Sequence, residues 1–295
     1  MPSRDQMHRF LFDHTDIRGE VVTLEHSLRE VLNHNPLPTV VQNLLGQFLA
    51  AASLLSSTLK FDGILTLQAR GEGPVSLLMA ECTHHQNLRG IARLAADDGD
   101  LADLDTANIR QLLGKGVLAI TIDPEQGERY QGIVPLDSDS LAGCLEHYFY
   151  QSEQLDTRLW LAADGQRASG LLLQALPRQV NASEEDNRRH WETACHLAGT
   201  VTTGELLELD HGDLLYRLFN EEQVRLFAPA PVRFACSCSP QRSANALKAL
   251  GEAEARRILA ERQAITIDCQ FCNQRYRFGP PEVETLFGDQ PRTLH

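Results

Sequence analysis

Aromatic residues are scarce in this 295-residue chain. Phe, Trp and Tyr supply 6% of it, so its core has to be aliphatic. Positive charge is also short: 27 Lys and Arg face 40 Asp and Glu, a formal net charge of −13. A surface of that sign repels phosphate backbones, which argues against non-specific binding of nucleic acid. Long apolar runs are missing too. The opening "MPSRDQMHRFLFDH" has no stretch suited to a signal peptide. The most apolar helical candidate, "TVVQNLLGQFLAAASLL", is interrupted by Gln42, Asn43 and Gln47, which makes it too polar and slightly short for a membrane span. The expectation is a cytoplasmic protein with no membrane partner. Signatures of nucleotide-binding and hydrolytic enzymes are absent: there is no Walker A loop, no "GxSxG" and no "HExxH". There is no internal repeat and no low-complexity tract.

What remains is ordinary for a globular protein, 42% hydrophobic and 23% charged, with length for one large domain or two modest ones. Residues 1–178 mix helix and strand signals. "HSLREVLNHN" and the stretch from Thr39 to Leu55 carry helical spacing, the first stopping near Asn35-Pro36. Strand candidates are "GILTLQAR", "SLLMAECT" and "LRGIARL". Two hairpins are expected, "GVLAITID" with "RYQGIVPL" and "TRLWLAA" with "SGLLLQAL". Between them "SDSLAGCLEHYFYQSEQL" reads as a helix capped by Ser138 or Ser140. The fold class that follows is α+β, with a mostly antiparallel N-terminal sheet packed with helices.

The character shifts near "PRQVNASEEDNRRH", a polar, turn-rich boundary. Residues 179–231 read as a helical linker with few obvious core partners. They hold a helix starting at Ser183, the amphipathic "HGDLLYRLFNEE" and the extended "LFAPAPVRF". Residues 232–295 form a third segment. Here "SANALKAL" is a helix capped by Ser243 and ended by Gly251, "EAEARRILAER" is a second, and "AITIDCQFCNQRYRF" is a β-hairpin with two thiols in its turn.

Four of the seven cysteines gather in this last segment, as Cys236-x-Cys238 and Cys269-x-x-Cys272. Three readings are open: a structural metal site, a pair of disulfides or a dithiol enzyme. A two-residue gap at a hairpin tip aims both sulfurs at one point, and residues two apart in an extended segment share a face. Zinc takes four such ligands in a tetrahedron. In a reducing compartment that spacing favours a metal site over a disulfide framework. Residues 232–287 offer only about fourteen large apolar side chains, a marginal core for a unit of that size. Structural zinc supplies roughly 10–16 kcal/mol of apparent folding free energy in small domains. Oxidising one pair removes two ligands, so the tail should come apart. The Cys269–Cys272 spacing closes readily, whereas a Cys236–Cys238 bridge closes a tight, strained ring. The expected order is Cys269–Cys272 first. Cys82, Cys144 and Cys195 sit singly in apolar or helical runs and read as packing.

These residues resemble the heat-shock protein 33 family, the redox-regulated chaperonins of bacteria, whose mark is Cys-x-Cys followed by Cys-x-x-Cys near the C-terminus. The likeness runs through the chain. "LKFDGILTLQ", "GERYQGIVPL", "YQSEQLDTRLW" and "GLLLQALP" read like its N-terminal domain in the same order, and "ALKAL" and "ILAE" fall where its zinc-domain helices lie. Length differences near "ADDGD" and "AADGQRASG" would be loop variation. The resemblance implies an ATP-independent holdase, inactive while one zinc is held by Cys236, Cys238, Cys269 and Cys272. Peroxide or hypochlorite, especially with heat, would form disulfides Cys236–Cys238 and Cys269–Cys272 and release the zinc. The linker would then unfold, the protein would form a homodimer, and unfolding clients would be held until the ATP-driven chaperone system refolds them.

Residue chemistry supplies a route for this. "ELLELDHGDLLYRLFNEEQVRLF" is rich in Leu and Phe yet studded with charge, and such helices are stable only when the apolar stripe is covered. Amphipathicity alone favours a permanent third layer, and the resemblance favours a conditional one. Two rival readings differ in kind. A dithiol-disulfide oxidoreductase would use Cys269 and Cys272, but such enzymes place the motif at a helix N-terminus and here it sits at a hairpin tip. A zinc-ribbon nucleic-acid module would use Arg275, Tyr276, Arg277 and Phe278, but residues 231–295 carry only 9 Lys+Arg against 7 Asp+Glu. His84 and His85 stand in a strand-loop region without partnered ligands, which argues against a metal role.

Overall fold

The computed structural model describes residues 4–59, 62–95, 101, 108–177, 180 and 183–288. The boundary near residue 178 and the length variation at 96–100 lie outside them. Strands β1 (Gln6–Phe12) and β2 (Ile17–Leu24) precede helices α1 (His26–Asn33) and α2 (Thr39–Thr58). Strands β3 (Gly63–Gly71), β4 (Val75–Thr83) and β5 (Asn87–Leu94) follow, then α3 (Ile109–Leu113), β6 (Gly116–Pro124) and β7 (Tyr130–Pro135). Helix α4 (Leu141–Tyr148) runs into a π-helical turn, Phe149–Glu153, ahead of β8 (Thr157–Ala163) and β9 (Ala168–Ala175). Helices α5 (Glu184–Ala198), α6 (Thr203–Glu208) and α7 (His211–Phe219) lead to short strands β10 (Val224–Leu226), β11 (Ala230–Pro231) and β12 (Arg233–Phe234). The last elements are α8 (Pro240–Leu250), α9 (Glu252–Arg262), the hairpin β13 (Ile265–Asp268) and β14 (Arg275–Phe278), and α10 (Pro280–Gly288).

The α+β class holds, but the strands form two large sheets where one was expected. The first runs β10-β1-β2-β9-β8, with β11 also on β1; the second runs β12-β5-β4-β3-β6-β7. Every pairing is antiparallel except β12 on β5. Both expected hairpins form, β6 with β7 and β8 with β9. Helix α2 packs against strands of both sheets and is buried along most of its length. At 20 residues it is three longer than the expected stretch, and by length and composition it could cross a membrane. Of its polar interruptions Asn43 is buried and Gln42 and Gln47 are half-buried, and 83% of its most apolar window is buried.

Strands β1 and β2 escaped the sequence reading, β2 for a physical reason. The burial of β2 does not alternate, because both of its faces are covered. Val22 and Leu24 join the α2 core, while Ile17 and Val21 face a second core under α5–α7. A strand covered on two sides loses the period-2 signal.

The chain divides into two compact units, residues 1–235 and 236–295. The described part of the 179–231 segment lies in the first, and it has abundant core partners, contrary to the expectation. Helix α7 buries His211, Leu214, Leu215, Leu218 and Phe219, the i, i+3, i+4, i+7, i+8 stripe of an amphipathic helix. That stripe meets Phe10, Phe12, Val21 and Leu171 of the first sheet, while Tyr216 on the opposite side is 75% exposed. Strands β10 and β11 cover the β1 edge, and β12 covers the β5 edge.

Among the described residues the second unit has a core of six buried apolar residues: Ala244, Leu247, Ala255, Ile265, Phe278 and Val283. Its first helix starts earlier than expected. Ser239, not Ser243, caps it by accepting the Arg242 N–H, with Pro240 at the first helical position; Ser243 lies buried inside. Proline's fixed φ suits that first position, which moves the start upstream.

Candidate metal centre

The β13–β14 ladder pairs Ile265 with Phe278 and ends at Asp268 opposite Arg275. Beyond it the chain turns through residues 269–274. The Cys269 N–H donates to the Gln274 carbonyl at 2.9 Å and the Asn273 N–H to the Cys269 carbonyl at 2.8 Å. Asn273 takes the left-handed conformation this turn needs, with φ of 58°. The Arg275 guanidinium clamps the turn's mouth, donating to both Asp268 oxygens at 2.8 and 3.0 Å. Cys236 and Cys238 lie on the irregular run between β12 and α8. There the Arg242 guanidinium donates to the Ser237 hydroxyl at 2.5 Å.

The four sulfurs converge. All lie within 4.8 Å of one another, and each cysteine is partly buried. The shortest gaps cross between the motifs: Cys236 to Cys269 at 3.6 Å and Cys238 to Cys272 at 3.4 Å. A tetrahedral site with about 2.3 Å Zn–S bonds has edges of about 3.8 Å, so a cation fits at the centre with small adjustment. None of the seven cysteines is in a disulfide. Burial pushes the Cys272 thiol up, the Gln274 backbone N–H opposes it, and the neighbouring thiols add to it. A divalent ion at the centre would favour the thiolate form of its ligands. The Tyr276 hydroxyl donates to Cys238 Sγ at 3.1 Å, a contact the sequence reading missed because Tyr276 looked like a hairpin aromatic. Its own hydroxyl is pushed up to about 12, chiefly by that bond.

No other cysteine joins the cluster. Cys82 and Cys144 are fully buried, and burial holds Cys82 and Cys195 up at about 12, which makes them poor nucleophiles. His84 braces a turn, accepting the Gly63 N–H at 3.1 Å while its Nε2 lies 3.3 Å from Asp62. Among the described residues the four-cysteine set is the one group placed to hold a metal. A second polar cluster links distant segments: His8 Nδ1 and His211 Nδ1 are 2.7 Å apart, and His211 Nε2 lies 2.9 Å from the Thr23 hydroxyl. Nothing in the sequence announces a pair separated by 203 residues.

Comparison with known proteins agrees with this geometry. The family described as Hsp33 protein matches residues 5–279. The 33 kDa chaperonin of Pseudomonas paraeruginosa is 54% identical over 288 residues, covering 97% of this chain and 96% of that protein. The 33 kDa chaperonin of Azotobacter vinelandii is 52% identical over 288 residues with the same coverage of each. The crystal structure of the 33 kDa chaperonin (heat shock protein 33 homolog) from Thermotoga maritima shares the fold, with a TM-score of 0.78 at 24% identity over 96% of this chain and 97% of that one. With four cysteines placed so that they could hold a metal and a family match spanning nearly the whole chain, this protein belongs to the Hsp33 family of non-enzymatic chaperones.

Proposed function

We propose that this protein is a redox-regulated, ATP-independent holdase of the cytoplasm, kept inactive by one zinc ion on Cys236, Cys238, Cys269 and Cys272. The observation that carries the reading is the convergence of four reduced sulfurs within 4.8 Å in a unit whose core has only six buried residues. A bound zinc would cross-link the Cys236–Cys238 run to the hairpin and supply folding free energy that so small a core lacks.

Oxidation removes the ligands. Two thiols surrender two protons and two electrons to one hydrogen peroxide, giving a disulfide and two waters. Cys269 and Cys272 share one tight turn, so their bridge closes first. Cys236 and Cys238 close after local unfolding, because a bridge over one intervening residue is strained. In the reduced cluster the nearest sulfurs belong to different motifs, so peptide mapping after graded peroxide is decisive. Accumulation of a Cys236–Cys269 or Cys238–Cys272 bridge would overturn the pairing.

Loss of the second unit frees the segment that precedes it in the chain. Residues 224–234 edge both sheets, and α5–α7 cover the aliphatic and aromatic face of the first. Their release would present sheet edges and apolar surface, which bind unfolding chains. The same surfaces would support a homodimer, and clients would later pass to the ATP-driven chaperone system. The test compares reduced with peroxide-treated protein at raised temperature. Metal release should accompany the gain of aggregation suppression. Suppression by the reduced, metal-loaded form alone would contradict the proposal.

A further inference from the structure

We propose that Tyr276 is a positioning residue for the thiol cluster, whose phenolic O–H bond to Cys238 slows that sulfur's reaction with oxidant. This deepens the redox-centre reading and rests on it. Tyr276 sits on β14 opposite Ile267, between the exposed Arg275 and Arg277. Strand alternation therefore turns its ring inward with Phe278, and the hydroxyl reaches Cys238 Sγ at 3.1 Å. Cys238 in turn lies 3.4 Å from Cys272 Sγ.

An O–H donor on a thiolate is a charge-assisted bond, and it draws on the lone pair that an oxidant must engage. The reaction with hydrogen peroxide begins when a thiolate lone pair attacks one peroxide oxygen. The O–O bond breaks, giving a sulfenic acid and a hydroxide that takes a proton to become water. A neighbouring thiolate then attacks the sulfenic sulfur, the S–S bond forms, and the departing hydroxide is protonated to a second water. Holding the Cys238 lone pair in the phenol's hydrogen bond slows the first step there and leaves the hairpin-turn thiols unaffected. Partners outside the ligand set tune metal-bound ligands in the same way. The bond thus gives the later closure of Cys236–Cys238 a chemical cause separate from ring strain.

Tyr276→Phe removes the O–H and keeps the ring. In cobalt(II)-loaded protein, the sulfur-to-cobalt charge-transfer band should move to lower energy, since an unbonded thiolate gives up electron density more easily. With peroxide, Cys238 should be modified about tenfold faster by peptide mapping, in keeping with an outer-shell contribution at the low end of its usual range. Cys269 should be unchanged. Ile267→Val loosens the ring's cross-strand partner while keeping the hydroxyl, and should move neither readout. A Tyr276→Phe variant with the wild-type band and the wild-type Cys238 rate would overturn the proposal, as would equal shifts in Ile267→Val. Failure of wild-type protein to give a tetrathiolate cobalt spectrum would overturn the metal-centre reading instead. The Cys238 rate in metal-free, reduced protein would still decide for or against the hydrogen bond.

Discussion

Single residues carry unequal burdens. Each cluster cysteine offers one of four ligand atoms, and among the described residues the unit that carries them has six buried core residues. Cys269→Ser should lower zinc affinity by at least 100-fold and erase the thermal transition of the second unit; retention of full metal by a purified variant is the contrary result. Glu20 lies at the other extreme. It is 1% exposed on β2, its Oε2 has no partner, and Arg18 Nε stands 3.8 Å from its other oxygen. Burial pushes its carboxyl up to about 7, against the pull of Arg18 and Arg9. The folded state thus keeps a proton that the unfolded chain loses at its ordinary 4.5. Stability contributed by this group is intact below the unfolded value and falls as pH rises to about 7. At pH 7.5 the loss is on the order of 3 kcal/mol. Glu20→Gln should recover about 1–3 kcal/mol there in urea melts and little at pH 4.5. An equal gain at both pH values would show that ionisation is not the cause.

At the scale of elements, α7 and its landing site matter most. The His8–His211 contact fastens the start of α7 to β1, with Thr23 and Ser169 beneath it. Burial lowers both histidines, His211 to about 3 with His8 adding to the effect. Docked α7 therefore holds the pair uncharged, and an undocked chain takes up protons near 6.5. The folded value lies below the unfolded one, so docking is intact above 6.5 and weakens as pH falls toward 3. His211 contributes up to about 1.4 kcal/mol per pH unit in that window. Amide exchange in α7, corrected for intrinsic rates, should speed up at least tenfold between pH 7.5 and 5.5 with metal still bound. His211→Gln should flatten that dependence, and a wild-type profile already flat would remove the pair from docking.

Legibility followed the same scale. Hairpins, caps at Ser140 and Ser183 and the cysteine hairpin were readable because alternation and short-range chemistry mark them. Helix α6 was missed although its Thr202–Glu205 capping box was in plain sequence. Strand β2 was not readable by period, being buried on two sides, and the partners of α7 include β1, whose His8 lies 203 residues from His211. The cysteine spacing identified the cluster. The Tyr276 bond depends on which way a hairpin aromatic turns, and that is a property of the ladder register.

In the whole molecule, on the proposed mechanism, the charge of −13 would disperse assemblies once apolar surface opens, an effect that salt should weaken. The central claim is that the thiol cluster of the second unit governs how residues 184–234 lie on the first. Hydrogen exchange across the full chain, with metal release followed in the same samples before and after peroxide at raised temperature, tests it most directly. Protection should vanish from 236–288 and from α5–α7 together, in step with release of one ion per chain, while α2 stays protected. Undiminished protection of α5–α7 in protein that has lost its metal and gained holding activity would contradict the claim.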